Sequence, residues 1–292
     1  MARNRPISEK MFDWTNVLLL TIVALIMFIP FLYVFSISFT TYKEFLQSNF
    51  ILIPKTWTTE AYRFIFESRS FVRSIGVTAY LTVVGTLVNL AMTASFAYVL
   101  SRDVWGRRTV LFLVLFTLLF SAGMIPTYLV VKATGLLDSI WALILPSAIS
   151  PFYLIVMRQF FLGIPKELTE AAVIDGANDL QIVRRVILPL SKPSLAAFGL
   201  FYAVSHWNSY FTGVLYLNTP EKWPIQVILR QIVTKNEATS TLANAQALLE
   251  NPPPAETIQM AAILVATVPI LLVYPFLQKH FAKGVMLGSV KG

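Results

Sequence analysis

The chain has no cysteine and only two histidines, His206 and His280. Without thiols there are no disulfides, no thiolate metal sites and no thiol nucleophile. Two histidines so far apart in sequence also fail the HExxH spacing and other His-based metal sites. Charge is scarce as well: Asp, Glu, Lys and Arg make up 13% of the 292 residues, about half the share of a soluble globular domain. Neither GxSxG nor the phosphate-cradling GxxxxGK[ST] occurs, and no pair of acids lies inside an apolar run. The sequence therefore offers no nucleophile elbow, no aspartyl dyad and no ATP site of that type. No catalytic residue, metal or cofactor is expected, and the chain does not read as an enzyme.

What is abundant is apolar surface. Hydrophobic residues reach 56% and the mean hydropathy is +0.67, so the lipid bilayer is the expected surroundings. Six apolar segments are long enough to cross a hydrocarbon core, which takes about 20 helical residues. They lie near Val17–Phe39, Phe71–Leu100, Thr109–Val131, Ile140–Phe161, Ser194–Leu217 and Thr257–Phe276. The expected class is an all-α, polytopic membrane protein with six transmembrane helices. The first segment is too long for a secretory signal and lacks a small-residue cleavage site, so it reads as a retained span after a short N-terminus, 1–16. Six spans put both termini on one side. That side carries Arg3, Arg5, Lys10, Arg102, Arg107, Arg108, Arg158, Lys166, Arg184, Arg185, Lys192, Lys279, Lys283 and Lys291. The other side has fewer basic residues, spread over longer loops and nearly balanced by acids. The positive-inside rule then makes the termini cytoplasmic. The net charge of +8 is mostly a topology signal; no basic stripe with interleaved aromatics suggests nucleic acid.

Two long outer segments, 40–70 and 218–256, are mixed polar and aromatic; the second ends in Pro252, Pro253 and Pro254, which stiffen the approach to the last span. Each is either a docking surface for something outside or a cover for the bundle. Within the spans, polar residues are costly and so informative. The fifth carries His206, Trp207, Asn208 and Tyr210, and the second carries Asn89. These are candidates for a translocation path, or else interhelical hydrogen bonds. Breaks are expected at Gly123/Pro126 in span three and at Pro146/Pro151 in span four. The span centres lack charged residues, against the intramembrane carboxylate of an ion-coupled carrier.

Between spans four and five lies a charged island, 162–193. Pro165 suits the first position of a helix and Gly176 the left-handed residue that ends one. Asn178 can cap a second helix with Gln181 completing a capping box, and Pro189 limits its length. Leu168, Ala171 and Ala172 share one side of the first helix. The island is either a helix–turn–helix made for a partner groove or a polar loop with a solvated helix.

The spacing within it resembles a known motif. Glu170-Ala171-Ala172, three residues, Gly176, nine residues, then Val186-Ile187-Leu188-Pro189 is similar to the EAA motif of membrane-spanning subunits of bacterial ATP-binding-cassette (ABC) importers. Val186 stands where that pattern has Ile. Asp175-Gly176-Ala177, the run from Leu188 to Pro193 and the tail from Lys283 to Gly292 further resemble the MalG-like, binding-protein-dependent permeases of carbohydrate uptake. The proline-rich loop ending resembles their LplC-like subgroup, which handles polysaccharide fragments. The resemblance implies a type I ABC importer permease fold in the bacterial plasma (inner) membrane. Its implied partners are a second homologous permease, two ATP-binding-cassette ATPase subunits and an extracytoplasmic substrate-binding protein carrying an oligosaccharide ligand. It implies alternating access, with Glu170, Ala171, Ala172, Asp175, Gly176, Ala177, Leu188 and Pro189 coupling to the ATPase. It also implies a tail, 280–292, with Lys283, Gly284, Gly288 and Gly292, reaching between the ATPase subunits. A permease for another small solute, a secondary carrier or a membrane-embedded enzyme are the alternatives.

Overall fold

A computed structural model describes residues 7–47, 50–234 and 253–289, with side chains from residue 9 onward except 274 and 276–289. Most of the outer loop's second half, 235–252, lies outside the described residues, as do residues 1–6 and Gly292. Among the described residues the chain is helical throughout, apart from turns and one isolated bridge between Thr40 and Trp57. Two compact units are built from it: Met1–Arg69 with Gln231–Thr267, and Ser70–Arg230 with Val268–Gly292.

Three helices are long and apolar enough to cross a bilayer: Glu9–Ser38 within the helix Ile7–Ser38, Arg69–Ser101, and Ala255–Val273 within the helix Ala255–Ser289. None of the first helix's apolar window is buried within the chain, which is the surface a lipid-facing or subunit-facing rod must present.

The three middle segments are each interrupted, segments three and four at the glycine and prolines where breaks are expected and segment five where none is. Segment three is the helix Arg107–Leu119, a break at 120–123, and Met124–Ala133. Phe120 is extended and Gly123 has φ 86°, so the helical path ends there. Segment four is Trp141–Ile144, a 3₁₀ turn at Leu145–Ser147, and Pro151–Leu162, bent by 55°. Pro146 and Pro151 have no N–H to continue the ladder, and Ser150 caps the second piece by accepting from Tyr153 N. Segment five is Lys192–Trp207, a break at Asn208–Ser209, and Tyr210–Tyr216. The polar run expected at the middle of a span is instead where its helix stops.

In the second unit, a buried cluster of Ala97, Tyr98, Leu154, Met157, Ile182, Ile187 and Phe198 ties the helix Arg69–Ser101 to segments four and five and to the island. A smaller cluster gathers around Leu81, Val131, Leu143, Ile144 and Tyr216. Asp138 closes this region. It sits at φ 57°, a conformation that Asp tolerates better than most residues. Its carboxylate accepts from the N–H groups of Asn218 and Thr219, at 3.0 and 2.9 Å, from the Thr219 hydroxyl, and from Lys222 Nζ at 2.9 Å. These bonds hold its carboxyl well below the ordinary carboxylate range, the Thr219 hydroxyl contributing most.

The first unit has a similar clasp. The Glu44 carboxylate accepts from the N–H groups of Lys55 and Thr56, at 2.7 and 3.2 Å, and the Lys55 bond is the main cause of its lowered pKa. Phe39 packs at a tilt against Tyr62 and Trp57, with ring centroids 4.7 and 5.7 Å away. Glu44 thus ties the start of the segment 40–70 to Lys55 and Thr56 within it.

Candidate functional site: the charged island and the broken spans

The island is built as two helices joined by a tight turn. Pro165, in extended backbone, precedes the helix Lys166–Ile174 as its cap rather than as its first residue. After it, Ala177 N donates to Ala172 O at 2.9 Å and Gly176 N to Val173 O at 3.0 Å, around Gly176 at φ 78°. This nested pair of bonds is a Schellman ending, which needs a left-handed residue at the position of Gly176. Asn178 Oδ1 then accepts from Gln181 N, and Gln181 Oε1 from Asn178 N, both at 2.9 Å. This is the capping box that the sequence suggests.

The second helix runs Asp179–Ile182, through a π turn at Val183–Ile187, into Leu188–Leu190. Pro189 lacks the N–H that would extend the ladder, and the helix ends one residue later. At Ser191 the chain turns by 83° into Lys192–Trp207. Ile182 and Ile187 are almost fully buried, and Leu188 packs beside them. Tyr98 Oη donates to Asp179 Oδ1 at 3.2 Å, and Arg102 reaches the same oxygen at 3.4 Å. The second island helix is thus anchored and the first projects from it.

The first helix has no buried residue. Ala172 packs toward the core with Ala177, so it does not share the outward side with Leu168 and Ala171 as the spacing suggested. Leu168, Ala171 and Ile174 recur at threes along one side and are exposed, Ile174 by 85%, and Val173 is exposed on a different face. Val173 and Ile174 were missed as surface residues because a β-branched apolar pair beside a turn reads as core. Glu170, Asp175 and Gly176 are exposed on the same projection, and Pro189 is exposed on the second island helix.

The five candidates inside the segments separate into two groups. Asn89 and His206 are buried and face each other, with Asn89 Nδ2 3.2 Å from His206 Nε2. Asn89 Nδ2 also lies 3.4 Å from Ser147 O. One turn further on, Tyr202 Oη accepts from Ser150 N at 3.0 Å and lies 2.8 Å from Thr93 Oγ1. Asn89 and Thr93 are four residues apart, as are Tyr202 and His206, so each pair occupies one helix face. Together they form two rungs whose third member is a backbone group freed by the break in segment four. Apolar surroundings demand that such groups find partners. Sequence reasoning had His206 and Asn89 as path candidates and did not single out Tyr202. By contrast Asn208 and Tyr210 are exposed and Trp207 is half-buried. Lys283, Gly284 and Gly288 fall on the helix Ala255–Ser289, whose backbone continues past the expected start of the tail.

Residues 7–287 match the family described as the binding-protein-dependent transport system inner membrane component. The chain belongs to this family. It is a permease subunit of ABC transporters, as the EAA spacing implied. The polygalacturonan/rhamnogalacturonan transport system permease protein YtcP of Bacillus subtilis is 52% identical, over 97% of this permease and 99% of its own length. Protein LplC of the same organism is 51% identical, over 97% and 96%. Among solved structures, a chain of a bacterial ABC transporter involved in the import of the acidic polysaccharide alginate superposes with a TM-score of 0.89 at 36% identity. That match covers 96% of this permease and all of that chain. A second chain, from the alginate transporter in complex with pentasaccharide-bound periplasmic protein, aligns at TM-score 0.62 and 19% identity and shares the fold.

Proposed function

We propose that this permease forms half of the translocation pathway for oligosaccharides or polysaccharide fragments, beside a second homologous permease. Its energy comes from two separate ATP-binding-cassette subunits, and its cargo from an extracytoplasmic binding protein. The observation that carries this reading is the projecting helix Lys166–Ile174. It is anchored through Asp179, Ile182 and Ile187, ends in a fixed Schellman turn, and presents an unburied small and apolar face. Such a face needs a groove, and this chain has no ATP site of its own. The YtcP and alginate likenesses support the substrate class, and the asymmetry of Lys and Arg supports cytoplasmic termini.

In this reading Glu170, Ala171, Ala172, Asp175, Gly176 and Ala177 dock in the ATPase cleft, and Leu188 and Pro189 transmit the movement through Ser191 to segment five. Closure of the ATPase pair drags the helix, and the bundle moves between two packings of similar energy. Asn208, Tyr210 and Trp207 border the pathway, while Asn89 and His206 shape its wall from inside. Lys283, Gly284, Gly288 and Gly292 belong to the part that reaches toward the ATPases. The test is disulfide trapping in the complete transporter. Ala171→Cys should cross-link to a cysteine in the ATPase cleft and block hydrolysis stimulated by the loaded binding protein. Uptake that persists without any ATPase subunit would overturn the reading.

A further inference from the structure

Between the loop that follows Arg69–Ser101 and the first island helix lies a cavity of about 440 Å³. Arg102, Arg107 and Lys166 line it, with Asp103, Thr169 and Glu170. The carboxylates do not use up the cations. Asp103 meets Arg107, and Asp179 meets Arg102, each at 3.4 Å, with the Asp side chains 96% and 81% exposed. Ion pairs this loose between solvated groups are weak. A guanidinium presents five N–H donors in a fork that matches a phosphate.

Two further observations point the same way. Trp105, at the tip of that loop beside Arg108, is fully exposed. Tryptophan favours the headgroup layer of a membrane. Immediately after the loop, the helix Arg107–Leu119 exposes Phe112, Leu113 and Phe116 on the face opposite Arg107, so this stretch meets an apolar surrounding on its outer side.

We propose that this cavity holds the phosphate headgroup of an anionic phospholipid, with Trp105 in the headgroup layer. A soluble phosphate would use the cations but leave the exposed tryptophan without a role. The inference rests on the cytoplasmic placement of the loop proposed above, where anionic lipids attract basic residues. Because Lys166 and Thr169 belong to the projecting helix, a bound headgroup bridges the fixed loop to the lever. Anionic lipid content then tunes coupling.

The test uses the complete transporter in nanodiscs of phosphatidylcholine, with or without phosphatidylglycerol, either lipid carrying brominated chains. The readouts are the Trp105 fluorescence, taken as the difference from Trp105→Phe, and phosphatidylglycerol retained in native mass spectrometry. Brominated phosphatidylglycerol should quench Trp105 more than brominated phosphatidylcholine. Arg107→Gln and Lys166→Gln should each lower retention about fivefold, the contribution of one cation at a membrane surface. Equal quenching by the two lipids, or unchanged retention in both variants, overturns the proposal. Displacement of the lipid by inorganic phosphate overturns it in favour of a soluble ligand, and quenching that emerges only once the ATPase is stripped away overturns it in favour of a protein contact. Hydrolysis stimulated by the loaded binding protein, measured in phosphatidylcholine alone, reports the permease reading separately.

Discussion

His206 occupies the space that a side chain at Gly85 would need. A Cβ built on Gly85 would lie 2.5 Å from His206 Nε2 and 2.8 Å from two ring carbons. The glycine lets the helix Arg69–Ser101 approach segment five closely enough for Asn89 to reach the imidazole. Gly85→Ala sets a gain in helix propensity, about 1 kcal/mol at most, against displacement of a buried ring, about 1–3 kcal/mol. The overlap wins. The variant should show a lower melting temperature in detergent, and Gly85→Ala combined with His206→Ala should recover part of that loss.

Tyr202→Phe removes the hydroxyl that accepts from Ser150 N. A buried N–H left without a partner costs about 1–3 kcal/mol. Thr93→Val, which removes only the other end of the rung, should cost less, because Ser150 keeps its acceptor. Thermal unfolding of the purified subunit or complex orders the two variants. Equal losses would show that the backbone bond is not the important one.

Gly176 has open space around its Cα but φ 78°, so any side chain there meets strain rather than a clash. The cost for an ordinary residue is about 1–2 kcal/mol. Gly176→Asp should leave insertion and abundance intact while abolishing ATP hydrolysis stimulated by the loaded binding protein. Gly176→Asn, which tolerates the left-handed region but is no larger, should retain a measurable fraction. Full stimulation in Gly176→Asp would contradict the coupling role of the turn.

Asp138→Ala should open the Asn218–Lys222 turn, seen as faster amide exchange at Asn218 and Thr219. Asp138→Asn, which keeps the backbone preference but loses the charge, should do so less. The Asp138 pKa is lowered from an ordinary 3.8, so the carboxylate's contribution is fully present above that value. It is lost only as pH falls through the lower value of the folded state. Protection of the two amides should therefore stay level across neutral and mildly acid pH and decline only in strong acid.

The Schellman turn at Gly176 and the Asn178–Gln181 box were legible in the sequence because they are local chemistry, set by residues a few positions apart. The apolar segments were legible as well, since hydropathy needs no partner. The breaks in segments three and four were legible too, from Gly123 and from Pro146 and Pro151, but the one in segment five was not. Asn208 and Ser209 form no breaker signature, and the bonds at the break are local ones, Asn208 Nδ2 to Val204 O and Tyr210 N to Asn208 O. The inward turn of Ala172 was hidden too. Spacing puts it beside Ala171, but Ile182 and Ile187 decide which side of the helix meets the core. His206 and Asn89 read as path residues or as interhelical hydrogen-bonding groups, and the sequence could not name the partner of either; they lie 3.2 Å apart.

The two rungs also set an order of assembly. Segment four enters the bilayer with Ser147 O and Ser150 N released by its own prolines, and Asn89 and Thr93 are already in place by then. Tyr202 and His206 emerge from the ribosome some fifty residues later, as their separation from Ser150 dictates. Until they arrive, one rung lacks its central hydroxyl, and the broken segment has unsatisfied backbone in an apolar setting. A chain truncated before segment five should therefore be retained by quality control rather than settle, which makes the fifth segment the step that commits the newly made subunit to its fold.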